Sequence, residues 1–412
     1  MTPAARVQAA IEILESLVSS GFPADRALRQ YFRNRRYAGS KDRAAVAAHV
    51  FAVYRRRAHH TFRMGSEDPR ALMIGSLQAE GADLHALFSG VAHGPPPLCE
   101  AEIRALETPP SQRPPLWVEA EFPPFLEEEL RQRFGTDLIP EMAAMQQRAP
   151  IDLRVNTLKA ERDHLAEALI AQGFAAAPTP YAATGLRIPP GASGLERTAL
   201  FGDGAFEFQD EAAQIACILT DARPGMRVCD LAAGAGGKAL ALAALMQDQG
   251  QIVACDIAPN RLAQLEPRAA RAGATIIRAS PEPKGLFDRV LVDAPCSGSG
   301  TWRRQPDQKW RLTPERLAEL ERLQDELLDR GAGLLGPGGR LVYATCSVLR
   351  CENERRIAAF RARHPHFTVI AAASIWSQLP SPPPLTGTGE FFQASPYMTQ
   401  TDGFFTAILT RG

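Results

Sequence analysis

CDLAAGAGGKALALAALM, residues 229–246, spells a strand, a turn of small residues and a helix in unbroken succession. The turn runs Ala232, Ala233, Gly234, Ala235, Gly236, Gly237, Lys238. Its glycines let backbone N–H groups come close to a ligand at a helix N-terminus. It is not a P-loop, because Lys238 is followed by Ala239 and no Ser or Thr stands ready for magnesium. Nor does it fit GxGxxG cleanly. Tight strand–helix packing would need the same small residues.

Outward from this turn, strand-like runs recur at RVCDLA, QIVACDI, TIIRAS, FDRVLVDA and GRLVYATC, with helical patterns between them; FTVIAA and GFFTAIL close the chain. Strands separated by helices imply right-handed βαβ crossovers and a parallel, doubly wound α/β sheet, whose ligands bind beyond the carboxyl ends of the strands. QIVACDI brings Asp256 to such an end, eighteen residues after Lys238. An acid there can accept hydrogen bonds from ribose hydroxyls; its plainer role is to cap the helix at PNRLAQLE. One ribose and adenine without a phosphate cradle fits S-adenosylmethionine, with Lys238 or nearby backbone meeting the methionine carboxylate. An NAD-dependent enzyme stays open on the loop alone.

At 412 residues the chain calls for two or three domains. Residues 1–97 read as all-helical: Val7, Ile11, Leu14 and Val18 share one face, and Ser40 caps a helix placing Ala44, Ala47, Val50 and Tyr54 along one side. The stretch 98–115, with TPPSQRPP at its end, reads as a proline-rich linker. Residues 116–204 suggest a small α+β module, and 205–412 the doubly wound domain. The net charge of zero hides segregation. Residues 1–63 carry twelve basic side chains against four acids, and 98–141 carry ten acids against four arginines. The RNRR at 33–36 and RRR at 55–57 suit a phosphate-tracking surface, although solvated helix faces look the same. No apolar run reaches a membrane span, and the N-terminus lacks a charged-then-apolar leader, so a cytoplasmic protein is expected. Cysteine and histidine spacing offers no metal site.

DAPCSGSGTWRR at 293–304 and YATCS at 343–347 each run a strand into a cysteine flanked by a small hydroxyl residue. A pyrimidine C5 becomes nucleophilic only after a thiolate adds at C6, while an acid or donor near N3 absorbs the developing charge. Release then requires loss of the C5 proton and elimination of the thiol. Asp293, Cys296 and Cys346 meet that specification at the ends of neighbouring strands, although a lone cysteine is more often a buried filler. Arg303, Arg304 and Lys309 offer phosphate contacts, and Trp302 and Trp310 could wedge at an extruded base. The helix TPERLAELERLQDELL at 313–328 reads as ordinary amphipathic packing.

At these residues the chain resembles the RsmB/NOP-type RNA cytosine-C5 methyltransferases. The likeness is carried by FQDEAAQ (208–214), DLAAGAGGK (230–238), ACDIAPNRL (254–262), VDAPCSGSGTWRRQPD (292–307), YATCSV (343–348) and DGFF (402–405). LRVN at 153–156 resembles the first strand of the family's small RNA-binding subdomain, and the helical region resembles a NusB-like domain. The resemblance implies a class I S-adenosylmethionine-dependent, Rossmann-like domain and RNA, foremost 16S ribosomal RNA, as partner to a monomer. It also implies Cys346 as the attacking nucleophile and Cys296 as the group assisting release. Asp293 would face the cytosine edge and the cofactor's amino group, Ala232–Lys238 the methionine end, and Asp256 the ribose. The sequence departs from the family at Ser280, where an acid often meets the adenine side. Transfer RNA as substrate, or an assembly factor with an inactive fold, are the alternatives.

Overall fold

A computed structural model describes the chain except residues 92, 109, 380, 381, 386, 388 and 412. It resolves into two compact units, residues 1–147 with 302–313, and residues 148–301 with 314–412.

The first unit is helical. Helix Pro3–Ser20 has Thr2 as N-cap, a proline at its start and left-handed Gly21 as its stop. Val7, Ile11 and Leu14 are buried as expected, but Leu17 rather than Val18 continues the stripe, and Val18 is 70% exposed. Along Ser40–Arg55 the buried face is Val46, Val50 and Val53, while Ala44 is exposed. The cap there is Gly39, without a side-chain hydrogen bond. The unit also takes in residues expected to be linker. Helix Glu100–Glu107 lies within 98–115, and Leu98, Ala105 and Leu106 pack on the helical core. Arg70 holds Glu102 at 2.7 Å, and Arg63 donates to the Ala105 and Leu106 carbonyls. Alternating apolar and charged residues allowed this docking, but proline density nearby masked it. Pro109 of the expected linker lies outside the described residues.

The second unit holds two sheets. The smaller consists of β1 (Ile151–Val155), β2 (Ala177–Pro178), β3 (Gly185–Ile188) and β4 (Phe206–Phe208), antiparallel in the order β2-β3-β1-β4. β1 is buried on both faces: Leu153 and Val155 enter the core of the small sheet, while Asp152 accepts from Arg187 and the Glu211 amide and Arg154 donates to Gln209 and the Gly237 carbonyl.

The larger sheet runs β10-β12-β9-β8-β5-β6-β7, with β11 paired to β12. Its strands are β5 (Arg227–Asp230), β6 (Gln251–Ala254), β7 (Ile277–Ala279), β8 (Phe287–Asp293), β9 (Leu335–Thr345), β10 (Phe367–Ile370), β11 (Phe392–Ala394) and β12 (Phe404–Arg411). β7, β6, β5, β8 and β9 are mutually parallel. β12 enters antiparallel between β9 and β10. Val290, Leu291 and Val292 are all fully buried, the mark of a strand covered by helices on both faces. The chain order reverses between β5 and β8, so the crevice for a ligand opens at their carboxyl ends, at Asp230 and Asp293.

Candidate active site

The glycine turn is shaped by close approaches. Gly234 and Gly236 have φ of 57° and 83°, and a Cβ on Gly236 would lie 2.0 Å from Leu265. Neighbouring side chains fix its backbone. Asp256 accepts from the Gly234 amide at 2.8 Å and from the Ala258 amide at 2.7 Å. Arg268 donates to the Ala235 carbonyl at 2.7 Å, and Arg154 of β1 to the Gly237 carbonyl at 2.9 Å. Asp256, just past the second strand, therefore ties the glycine turn to the loop that leads into the next helix rather than capping that helix.

Lys238, on the first turn of the following helix, pairs with Asp293 at 2.6 Å. Burial works against its ammonium, but the Asp293 carboxylate more than compensates and holds its pKa above the usual lysine value. Asp230, at the end of β5, is fully buried, and neither carboxylate oxygen has a hydrogen-bond partner. Burial, then the Asp293 carboxylate, pushes its pKa up to about 7, and the Lys238 ammonium pulls it back only partly. Sequence reasoning passed over Asp230, which looked like an ordinary strand end; only its lack of partners marks it.

β8 and β9 are paired in parallel, with Asp293 beside Ala344. That register brings the turns after them together, and the Cys296 and Cys346 sulfurs lie 3.4 Å apart. Both are half-buried, whereas Cys217, Cys229, Cys255 and Cys351 are buried and Cys99 is exposed. The Cys296 thiol is raised well above its usual pKa, by its hydrogen bond with Cys346, then by burial, with a contribution from the Glu352 carboxylate. Cys296 thus keeps its proton at neutral pH and can donate it toward the Cys346 sulfur.

Two further stretches complete the site. The Gly300 amide donates to the Cys346 carbonyl at 2.9 Å, and the Gly403 amide to the Gly300 carbonyl at 2.8 Å, so DGFF braces the Pro-Cys turn. Asp210 caps helix Glu211–Leu219 and accepts the Asp402 amide at 3.1 Å. Behind the cysteines, Ser297, Ser299, Ser347 and Glu352 form a buried polar cluster. Glu352 escaped the sequence reading because nothing local pairs it with a residue fifty-five positions away.

Lys309, Trp302 and Trp310, beyond the Pro-Cys turn, are placed differently from what was expected. The Lys309 ammonium is buried and donates to the carbonyls of Arg55 at 3.2 Å and Glu121 at 2.9 Å. Trp310 donates to the Tyr54 carbonyl at 2.8 Å, and Trp302 is 1% exposed. Lys309 and Trp302 are buried in the helical unit, and Trp310 is half-buried with its N–H spent on a backbone carbonyl. Arg303 is buried as well. Ser280 donates to the Glu282 carbonyl at 2.7 Å, just past β7.

Parallel strands in this order, with acids at the ends of the first and fourth beside a glycine turn, are the architecture of a class I S-adenosylmethionine-dependent methyltransferase. The family model described as 16S rRNA methyltransferase RsmB/F matches residues 217–410, and the ferredoxin-like domain model of RsmF/B-like methyltransferases matches residues 122–192. The chain belongs to this family. It is 33% identical over 300 residues to the "Probable ribosomal RNA small subunit methyltransferase B" of Synechocystis sp., covering 70% of this chain and 67% of that protein. The Bacillus subtilis protein of the same description is 34% identical over 263 residues, covering 61% of this chain and 58% of its own length. Among solved structures, PH0851 superposes with a TM-score of 0.79 at 26% identity, covering 100% of this chain and 99% of that one. A methyltransferase homolog from Pyrococcus horikoshii gives 0.61 at 28% identity over 72% of this chain and 97% of its own.

S-adenosylmethionine is the cofactor of this fold and family. The residues present fit it: an unpartnered buried carboxylate at Asp230 suits a cationic, donor-bearing ligand. The glycine turn leaves no room for larger side chains beside it.

Among the described residues no group of His, Cys, Asp and Glu could hold a metal ion, and no helix is long and apolar enough to cross a membrane.

Proposed function

We propose that this chain methylates C5 of a cytosine in small-subunit ribosomal RNA through a transient covalent bond between Cys346 and C6. The observation that carries the reading is the 3.4 Å approach of two thiols at the ends of adjacent parallel strands, one turn from the Lys238–Asp293 pair. One of the two thiols, Cys296, is raised well above its usual pKa by its hydrogen bond with Cys346 and by burial. In the forward step the Cys346 sulfur bonds to C6, and the displaced π electrons collect at C5, N3 and O2. The Asp293 carboxylate would accept from the exocyclic amino group on the ring edge, and the Lys238 ammonium paired with it offsets the developing negative charge. Ala232–Lys238, Asp256, Asp230 and Asp293 would hold S-adenosylmethionine, which would supply the electrophilic methyl group. Once a water molecule has taken the C5 proton, the C5–H electron pair re-forms the ring double bond, and the C6–sulfur bond breaks with its electrons returning to the Cys346 sulfur. Cys296, still a thiol, donates to the departing Cys346 sulfur and so favours release. The relatives named above carry ribosomal RNA in their descriptions, which supports that substrate over other RNAs.

Transfer of labelled methyl groups to 16S ribosomal RNA, followed by bisulfite sequencing, tests the proposal. Incorporation at cytosine that disappears in Cys346→Ala supports it; equal incorporation by that variant contradicts it.

A further inference from the structure

Glu352 faces neither the glycine turn nor open solvent, being fully buried, yet it ties both cysteine turns together. One carboxylate oxygen accepts from the Ser297 amide at 2.8 Å and from the Gln324 amide at 3.0 Å. The other accepts from the Ser297 hydroxyl at 2.5 Å and from the Ser347 hydroxyl. Ser297 directly follows Cys296, and Ser347 directly follows Cys346. Ser299 adds a cross-strut, 2.9 Å from the Ser347 hydroxyl, and accepts the Val348 amide at 2.9 Å. The Glu352 backbone is itself anchored, its carbonyl accepting from the Tyr343 hydroxyl at 2.6 Å.

Burial raises the Glu352 carboxyl above its usual pKa, and the four donors from Ser297, Ser347 and Gln324 work against that shift by satisfying the charged form. Stability alone does not call for the charge, since apolar packing commonly holds such a site as well. We propose that Glu352 is a positioning residue, whose carboxylate sets the spacing of the two thiols and fixes a negative charge beside Cys296. This rests on the roles proposed above for the cysteines. A fixed negative charge disfavours a second anion at Cys296, so attack falls to Cys346 and Cys296 keeps the proton it later donates. The other titratable groups around the pair are Cys346 and Tyr343, with Arg356 and Asp325 beyond, paired to each other at 2.7 Å.

Two thiol measurements test this without RNA or cofactor. The first is alkylation of Cys296 by iodoacetamide against pH in a Cys346→Ala background, with and without Glu352→Gln. The midpoint should move to lower pH in Glu352→Gln, with alkylation at pH 8 faster by at least about threefold. A merely structural role would change the rate at every pH alike and leave the midpoint in place, which overturns the proposal. The second is oxidation of the two thiols to a disulfide by diamide, which takes up the two electrons and two protons. It should slow about tenfold in Glu352→Ala and in Ser347→Ala, because the close approach loosens. Ser347→Ala keeps the charge and removes one strut, so it carries the spacing test if Glu352→Ala does not fold. Unchanged disulfide rates overturn the spacing role. Loss of methyl transfer in Cys346→Ala is read separately, so either conclusion can fail alone.

Discussion

Gly300→Ala is a substitution of one methyl group whose effect follows from the geometry of two touching backbones. A Cβ on Gly300 would sit 2.1 Å from the Gly403 carbonyl oxygen and 2.6 Å from its Cα. Both obstacles are backbone, so no side chain can swing aside. To restore even a tight contact the Pro-Cys turn and the DGFF segment must part by roughly 1 Å. That movement strains the bond from the Gly300 amide to the Cys346 carbonyl, 2.9 Å long, and drags the thiol with it. Overpacking of this kind costs about 1–3 kcal/mol of stability. A displacement of about 1 Å at a reacting group costs about a hundredfold in rate. Single-turnover methyl transfer to 16S ribosomal RNA should therefore fall about a hundredfold, with S-adenosylmethionine affinity by calorimetry little changed, since the glycine turn is elsewhere. Gly333→Ala, with nothing within 4 Å of the added carbon, serves as the control. A Gly300→Ala protein with wild-type rate and melting temperature would refute the claim that this backbone contact places Cys346.

Two other outcomes are expected. Asp230, raised to about 7 chiefly by burial, binds a proton in the folded state between about pH 4 and pH 7 that the unfolded chain releases. Stability of the cofactor-free protein should therefore fall as pH rises through that window. Asp230→Asn should flatten the fall and gain roughly 2–4 kcal/mol at pH 8 as an upper bound; urea unfolding at pH 5 and pH 8 checks this, and parallel slopes for both proteins count against it. Ser280→Asp restores an acid just past β7 and should tighten S-adenosylmethionine binding several-fold by calorimetry; unchanged or weaker binding removes Ser280 from the adenine side.

The larger sheet was legible because its strands are covered on both faces. Runs such as Val290–Val292 and Leu341–Ala344 stay apolar without a break, and the small-residue turn after β5 announces a ligand-bearing crossover. β2, β4 and β11, at two or three residues each, are too short to show any period. The helix face slipped by one position at Leu17 and Val18, two adjacent apolar residues of which either could continue the stripe. The two cysteines stood out because strand order brings residues fifty positions apart to one edge. Lys309 and Trp310 show the opposite limit. Their composition matches an RNA-facing patch, and only the carbonyls of Arg55, Glu121 and Tyr54, remote in sequence, show where their donors are spent. Asp230 and Glu352 were hidden for complementary reasons: one lacks partners altogether, and the other gathers four of them from distant segments.

The most direct measurement is a denaturing gel of Cys296→Ala incubated with 16S ribosomal RNA and S-adenosylmethionine, with the cross-linked peptide identified by mass spectrometry. Loss of the thiol that assists release should leave a stable protein–RNA adduct attached at Cys346, and the Cys346→Ala protein should form none. An adduct on Cys296 in the Cys346→Ala protein, with none in Cys296→Ala, would reverse the two roles and contradict the account.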